Sequence, residues 1–205
     1  MSDPDFFVES PRLFISYLLP EKDEHCDFLV ALYNTPEFIA SIGGHPTTIT
    51  TRDVARKVLA GRFRDEHARN GYGTYLVSLK DANSHGQDRL AAFRSATPIG
   101  TIGLMRGEEP DRYEAPDIGF AVLSEHMRKG YTREAALAIM DYLEKEKGVR
   151  DVLGFCNPGN NASKAVFKSL GFEYRGEMPL RVFGNEISAV WAKKGMSEDL
   201  SIYGL

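Results

Sequence analysis

The run Pro116-Asp-Ile-Gly-Phe120-Ala-Val-Leu-Ser-Glu125-His-Met-Arg-Lys-Gly130-Tyr-Thr-Arg-Glu-Ala135-Ala-Leu137 decides how the rest of the chain is read. A strand ends, and a short basic turn with one glycine leads straight into a helix. On the strand, period-2 alternation puts Ile118, Phe120 and Val122 on one face and Asp117, Gly119 and Ala121 on the other. The small residues leave room for a ligand beside an ionisable group. At the helix start, unpaired backbone N–H groups and the partial positive charge of the first turn make residues 128–133 a compact anion site suited to a pyrophosphate. Arg128, Lys129 and Arg133 add charge there, and Gly130 lets the backbone approach an oxygen closely. Taken alone, the turn reads equally as surface charge before an amphipathic helix with Ala136, Ile139, Met140 and Leu143 inward. The strand ahead of it adds weight to the ligand site.

Downstream lies a second cluster, Asn157-Pro-Gly-Asn160-Asn-Ala-Ser163-Lys-Ala-Val-Phe167-Lys-Ser-Leu-Gly171-Phe172. Asn160 or Asn161 can cap a helix with Ala162, Ala165, Val166 and Leu170 inward, and Gly171 suits a left-handed residue after its end. Capping alone explains much of this segment.

Working outward, Arg12 to Tyr17 reads as a strand, followed by a helix carrying Cys26, Leu29, Val30 and Tyr33. A second helix starts at Thr51, shows Val54, Val58, Leu59 and Phe63 on one face, and closes at Asn70-Gly71. Strands are expected at 74–79, 99–105, 117–123, 151–156, 172–175 and 187–192, with helices at 132–147 and 161–170. Residues 81–97 read as a polar, mobile surface loop, and 196–205 as a tail that docks or frays behind a single domain, 1–195. Hairpins mixed with a strand–helix–strand unit point to an α+β fold with helices on the faces of the sheet.

Composition narrows the function. The 205 residues, 42% hydrophobic and 26% charged, describe one ordinary globular domain. With 25 basic against 29 acidic residues the formal charge is −4, so no broad basic field exists to collect nucleic acid or an anionic membrane. Cys26 and Cys156 show neither metal-ligand spacing nor a disulfide framework. The acidic N-terminus and the lack of a long apolar run lead us to expect a cytosolic or nucleocytoplasmic protein. No phosphate-loop signature occurs, the Gly71-Tyr-Gly73 pair meets Leu76 where a dinucleotide fingerprint needs glycine, and no serine-hydrolase elbow is found.

Asp117-Ile-Gly-Phe120, Arg128-Lys-Gly-Tyr-Thr-Arg-Glu-Ala135 and Asn160-Asn-Ala-Ser163 with Gly171-Phe172 together resemble the GNAT superfamily of acyl-CoA-dependent N-acetyltransferases. The likeness is greatest to its ribosomal-protein-alanine acetyltransferase-like branch. It spans about residues 10–195, with Pro11-Arg12-Leu13 and Pro98-Ile-Gly-Thr-Ile-Gly103 similar to two further strands of the family. It implies a mixed, mostly antiparallel sheet of about six or seven strands flanked by helices, and acetyl-CoA as co-substrate with no metal. The acceptor it implies is a primary amine: a protein N-terminus, a lysine or a small molecule. Monomers and homodimers both occur in the family.

The resemblance assigns Asp117 as general base, acting directly or through water, and Ser163 as the acid that reprotonates the leaving thiolate. It also assigns backbone N–H groups around Val122 and Leu123 to the oxyanion, and Arg128, Lys129, Gly130, Tyr131, Thr132 and Arg133 to the pyrophosphate. Asn160 and Phe167 complete the cofactor contacts. Departures exist. Met127 and Thr132 replace the first and last residues of the family's phosphate loop, and Phe167 stands where many members carry a tyrosine acid. Those departures keep open a catalytically silent acyl-CoA-binding or regulatory module. For Asp117 a salt-bridged strand edge is the competing reading. Glu108, Glu109, Asp111 and Glu114 read as a solvated loop or as a lure for a cationic amine.

Overall fold

A computed structural model describes residues 3–82, 86 and 88–205. Eight strands, β1 (Phe7–Glu9), β2 (Leu13–Tyr17), β3 (Thr74–Leu79), β4 (Thr97–Met105), β5 (Asp117–Val122), β6 (Leu153–Cys156), β7 (Glu173–Leu180) and β8 (Glu186–Ala192), form one sheet. Its order is β1-β2-β3-β4-β5-β6-β8-β7, and every neighbouring pair is antiparallel except β5 and β6. The fold is α+β, one strand above the expected range. The additional strand β1 is short and lies at the sheet edge, where three residues carry too little alternation to read.

The helices are α1 (Asp23–Tyr33), α2 (Pro36–Ser41), α3 (Arg52–Val58), α4 (Arg64–Asn70), α5 (Arg89–Arg94), α6 (Tyr131–Lys147) and α7 (Asn161–Ser169). A π-turn over Leu59–Phe63 joins α3 to α4, so the expected second helix is one long rod with a widened turn at its middle. Thr51 caps it through Val54 N–H, and Gly71 ends it at φ 77°. On one face of the sheet α6 buries Ala135, Ala136, Ile139, Met140 and Leu143 against Ile102, Leu104 and Ile118. On the other, Cys26, Leu29, Ala55, Leu59 and Phe63 cover Leu76. Residues 83–85 and 87 of the expected loop, and the first two residues of the acidic N-terminus, lie outside the described residues.

The expectation of a loop across 81–97 is corrected by α5. Asp88 caps that helix by accepting from Leu90 and Ala91 N–H, and Phe93 packs on Phe7 and Phe14 with ring centroids 4.8 and 5.6 Å away. A helix of only six residues leaves little periodic signal. The C-terminal segment docks: Tyr203 is 6% exposed, and its carbonyl accepts Glu114 N–H at 2.9 Å. No helix among the described residues is long and apolar enough to cross a membrane.

Candidate active site

The centre of the site follows from one irregularity in the sheet. Strands β5 and β6 share a single register pair, Asp117 opposite Leu153, fixed by Leu153 N–H donating to the Pro116 carbonyl at 2.8 Å. Beyond that rung the strands separate. The rings of Phe120 and Phe167 meet across the gap with centroids 5.6 Å apart. Phe167 itself is 1% exposed and also packs against Phe172 and Trp191. Gly154 makes this possible, because a Cβ there would lie 2.6 Å from the Phe167 ring. Phe167 therefore forms the floor of the gap and offers little surface to a ligand.

Successive N–H groups of a strand alternate sides. Leu123 N–H donates to the Ile99 carbonyl at 2.9 Å, so the expected oxyanion donor at Leu123 is already occupied. Val122, one residue earlier and opposite Gly100, directs its N–H away from β4 toward the gap. The donor pair read from sequence thus reduces to Val122.

Next to the end of β5, Arg128 and Gly130 both take left-handed conformations, φ 59° and 81°, and fold the chain into the start of α6. No side chain caps that helix, which leaves the first-turn N–H groups of Tyr131, Thr132 and Arg133 for an anion. Arg128 and Lys129 are exposed beside them. Arg133, also exposed, is engaged elsewhere: its Nε donates to the Ser169 carbonyl at 2.9 Å and ties α6 to the end of α7. Arg12 occupies the neighbouring position instead. Its guanidinium stacks 4.5 Å over the Tyr131 ring, and its Nη1 donates to the Lys129 carbonyl at 3.1 Å. Glu134 anchors the assembly, accepting from Ser10 Oγ at 2.8 Å, Arg12 N–H at 2.7 Å and Arg12 Nε at 2.6 Å. Burial alone would raise the Glu134 carboxyl, but these donors outweigh it and hold the pKa below the usual carboxylate value.

On α7, Asn160 Oδ1 accepts Ser163 N–H at 3.0 Å, the cap expected from sequence. The helix is rotated from the expected phase: Ala162 and Ala165 are exposed, while Ser163, Val166, Phe167 and Leu170 face inward. Burying the large Phe167 ring beneath the gap outweighs burying two methyl groups. Ser163 and Phe167, four residues apart, share a helix face, so the serine lies on the gap side.

Asp117, Gly119 and Ala121 lie opposite Met105, Gly103 and Thr101 of β4, and directly opposed residues share a face. Asp117 is half-buried and makes no ion pair among the described residues. Burial, then the negative charge of Glu66, pushes its carboxyl up to about 7. The salt-bridged strand edge is therefore not what this residue forms. Glu66, on α4, is itself pushed up to about 7 by burial, against the opposing charges of Arg62 and Arg69. The Tyr33 hydroxyl, bonded to Thr101, is raised by burial on the same side of the sheet. Three of the four carboxylates of the acidic loop are paired locally: Glu108 with Arg69 at 3.1 Å, Glu109 with Arg112 at 2.6 Å and Glu114 with Arg106 at 2.6 Å. Among the described residues no three His, Cys, Asp or Glu side chains come together to hold a metal ion.

A profile of the family described as "Acetyltransferase (GNAT) domain" matches residues 15–173. The chain belongs to the GNAT acetyltransferases. It is 24% identical over 143 residues to "Uncharacterized protein YkkB" of Bacillus subtilis, covering 70% of this chain and 72% of that protein. To "FsC-acetyl coenzyme A-N(2)-transacetylase" of Aspergillus fumigatus it is 25% identical over 158 residues, 77% of this chain and 62% of that protein. Its fold is shared with the ribosomal-protein-S5-alanine acetyltransferase from Vibrio fischeri, with a TM-score of 0.67 and 17% identity over 94% of this chain and 100% of that one.

Two residues of this GNAT acetyltransferase escaped the sequence reading. Arg12 had been read only as strand; its role depends on a contact to Lys129 across the fold. Glu66 follows Arg62 by one helical turn, a signal visible in the sequence, but the π-turn ahead of it shifts which side of the rod it occupies.

Proposed function

We propose that this acetyl-CoA-dependent N-acetyltransferase transfers its acetyl group to a primary amine by direct attack in a ternary complex, with Asp117 as general base and Ser163 as general acid. Acetyl-CoA supplies the activated thioester. The residues of the chain have three tasks: to remove a proton from the ammonium, to hold the oxyanion, and to return a proton to the leaving thiolate. The first-turn N–H groups of Tyr131, Thr132 and Arg133, with the charges of Arg128 and Lys129, fit the pyrophosphate, and Val122 N–H fits the oxyanion.

The observation that carries this reading is the Asp117 carboxyl, unpaired and raised to about 7, where β5 and β6 part. A base near neutrality matches the operating pH. It also ranks acceptors. Neutralising an α-ammonium of pKa near 7.8 at pH 7 costs about 1 kcal/mol, and an ε-ammonium near 10.4 costs roughly 4.6 kcal/mol. An exposed N-terminal amine or another amine of low pKa fits better than lysine. The relatives' printed names, an N(2)-transacetylase and an alanine acetyltransferase, agree with an amine acceptor. Expelling a thiolate of pKa about 8.5 at pH 7 forfeits only about 2 kcal/mol, which a serine on the gap face suffices to assist.

CoA release measured with N-terminal peptides, polyamines and aminoglycosides tests the reading. Asp117→Asn should lower kcat/KM by at least about a hundredfold while leaving acetyl-CoA affinity unchanged. Activity within twofold of the parent protein would remove Asp117 from the mechanism, and acetyl-CoA binding without transfer to any amine would favour the silent module.

A further inference from the structure

We infer that Glu66, which leans over Gly73 at the Asp117 end of β5, belongs to the acceptor seat, where its carboxylate holds the incoming ammonium beside Asp117. This rests on the acetyl-transfer reading above and extends it to a residue outside the family motifs recognised in the sequence. The geometry has several parts. Glu66 Oε2 lies 3.2 Å from where a Cβ on Gly73 would stand. The Gly73 carbonyl in turn lies 2.7 Å from the Cβ position of Gly103, which opposes Gly119 on β5, two residues from Asp117. The floor between the two carboxyls is thus backbone, with the Met105 thioether reaching over Gly119.

Among the described residues Glu66 forms neither an ion pair nor a hydrogen bond, although two arginines share its helical rod. Arg69 is committed to Glu108. The charged and titratable groups around Glu66 are Arg62, Arg69 and His67 from its own rod, the His67 ring lying against the same Gly73, with Tyr33 from α1, Tyr72 before β3, Glu108 from the β4–β5 loop, and Asp117 from β5. Two carboxyls that repel one another without a bonded cation gain most from a third party carrying positive charge. An amine entering as its ammonium supplies that charge. Transfer of its proton to Asp117 then leaves the neutral nucleophile beside Glu66, with the positive charge removed and the proton accounted for.

Glu66→Gln tests this in steady-state assays of the full-length protein with an alanine-initiated peptide and, in parallel, spermidine. The amine KM should rise about tenfold with acetyl-CoA KM within twofold, and the acidic limb of kcat/KM should move about one pH unit lower, because a negative neighbour of Asp117 is gone. Amine KM and limb both at parental values, with or without a fall in kcat, overturn the inference. If Glu66→Gln melts more than about 5 °C below the parent, Glu66→Asp is read instead. It keeps the charge, so the limb should stay and the amine KM alone should rise; an unchanged amine KM overturns the inference. A parent protein inactive toward every amine would sink the acetyl-transfer reading itself, and this inference with it.

Discussion

Individual residues divide by whether their role is local. The placement of Asp117 on β5 and of Gly130 ahead of α6 was legible because strand alternation and a strand–turn–helix junction are properties of a few consecutive positions. Arg133 was not, since its guanidinium has two possible destinations and only the packed α7 shows that it takes the Ser169 carbonyl. Leu123 misled for a similar reason: which strand N–H groups are free depends on the neighbour's register, which puts Ile99 opposite it. Gly154 matters only through Phe167. Its absent Cβ leaves the ring its place, so Gly154→Ala should cost roughly 1–3 kcal/mol through overpacking. Urea unfolding would measure that, and Gly154→Ala combined with Phe167→Leu should recover part of the loss.

At the scale of elements, α6 was the most legible and its support the least. Its apolar spacing repeats over 17 residues, enough to fix both its extent and its buried face. What holds its first turn is a carboxylate reaching back to the β1–β2 turn, a contact between residues 122 positions apart. Glu134→Gln keeps the shape but removes the charge that binds Arg12. Hydrogen bonds to charged groups contribute about 1.5–3 kcal/mol, so a lower Tm is expected, together with weaker acetyl-CoA binding by calorimetry as the loop at Arg128 and Gly130 loosens. An unchanged dissociation constant would separate Glu134 from the loop. The helices over Pro36–Ser41 and Arg89–Arg94 illustrate the opposite limit: each has six residues and relies on a cap, Thr35 or Asp88, that also reads as turn chemistry.

For the whole molecule, charge and topology lead to a particular pH response. Asp117 and Glu66 have folded pKa values near 7, above their unfolded values, so the stability they contribute is complete below about pH 4 and lost as pH rises through 7. His25 and His67 are depressed to about 4 by burial, and their contribution is complete above about pH 6.5 and lost as pH falls toward 4. Leu19 N–H donates to His25 Nδ1 at 3.0 Å, which requires that nitrogen unprotonated. The two pairs oppose one another between pH 4 and 6.5. Asp117→Asn removes one member of the acidic pair: its Tm relative to the parent should increase by about 3 °C or more between pH 5 and pH 8. A constant difference across that range would mean that Asp117 does not carry the raised pKa. The overall class and most of the strand order along the chain were readable because hairpins and one crossover leave few arrangements. The edge strand and the π-turn were not, because neither has a distinctive repeat.

The single rung between β5 and β6 means that the backbone ladder is nearly severed into two sheets, one of five strands and one of three. Across that seam the halves are joined mainly by side chains, the aromatic pair of Phe120 and Phe167 among them. A long, partly peptidic molecule lying in the opening would supply amide groups where the strands have stopped pairing. If acetyl-CoA takes its proposed place there, it acts as a borrowed strand: the shared core of Ile118, Phe167 and Trp191 already joins the two halves, and binding should slow amide exchange along the open edges of β5 and β6.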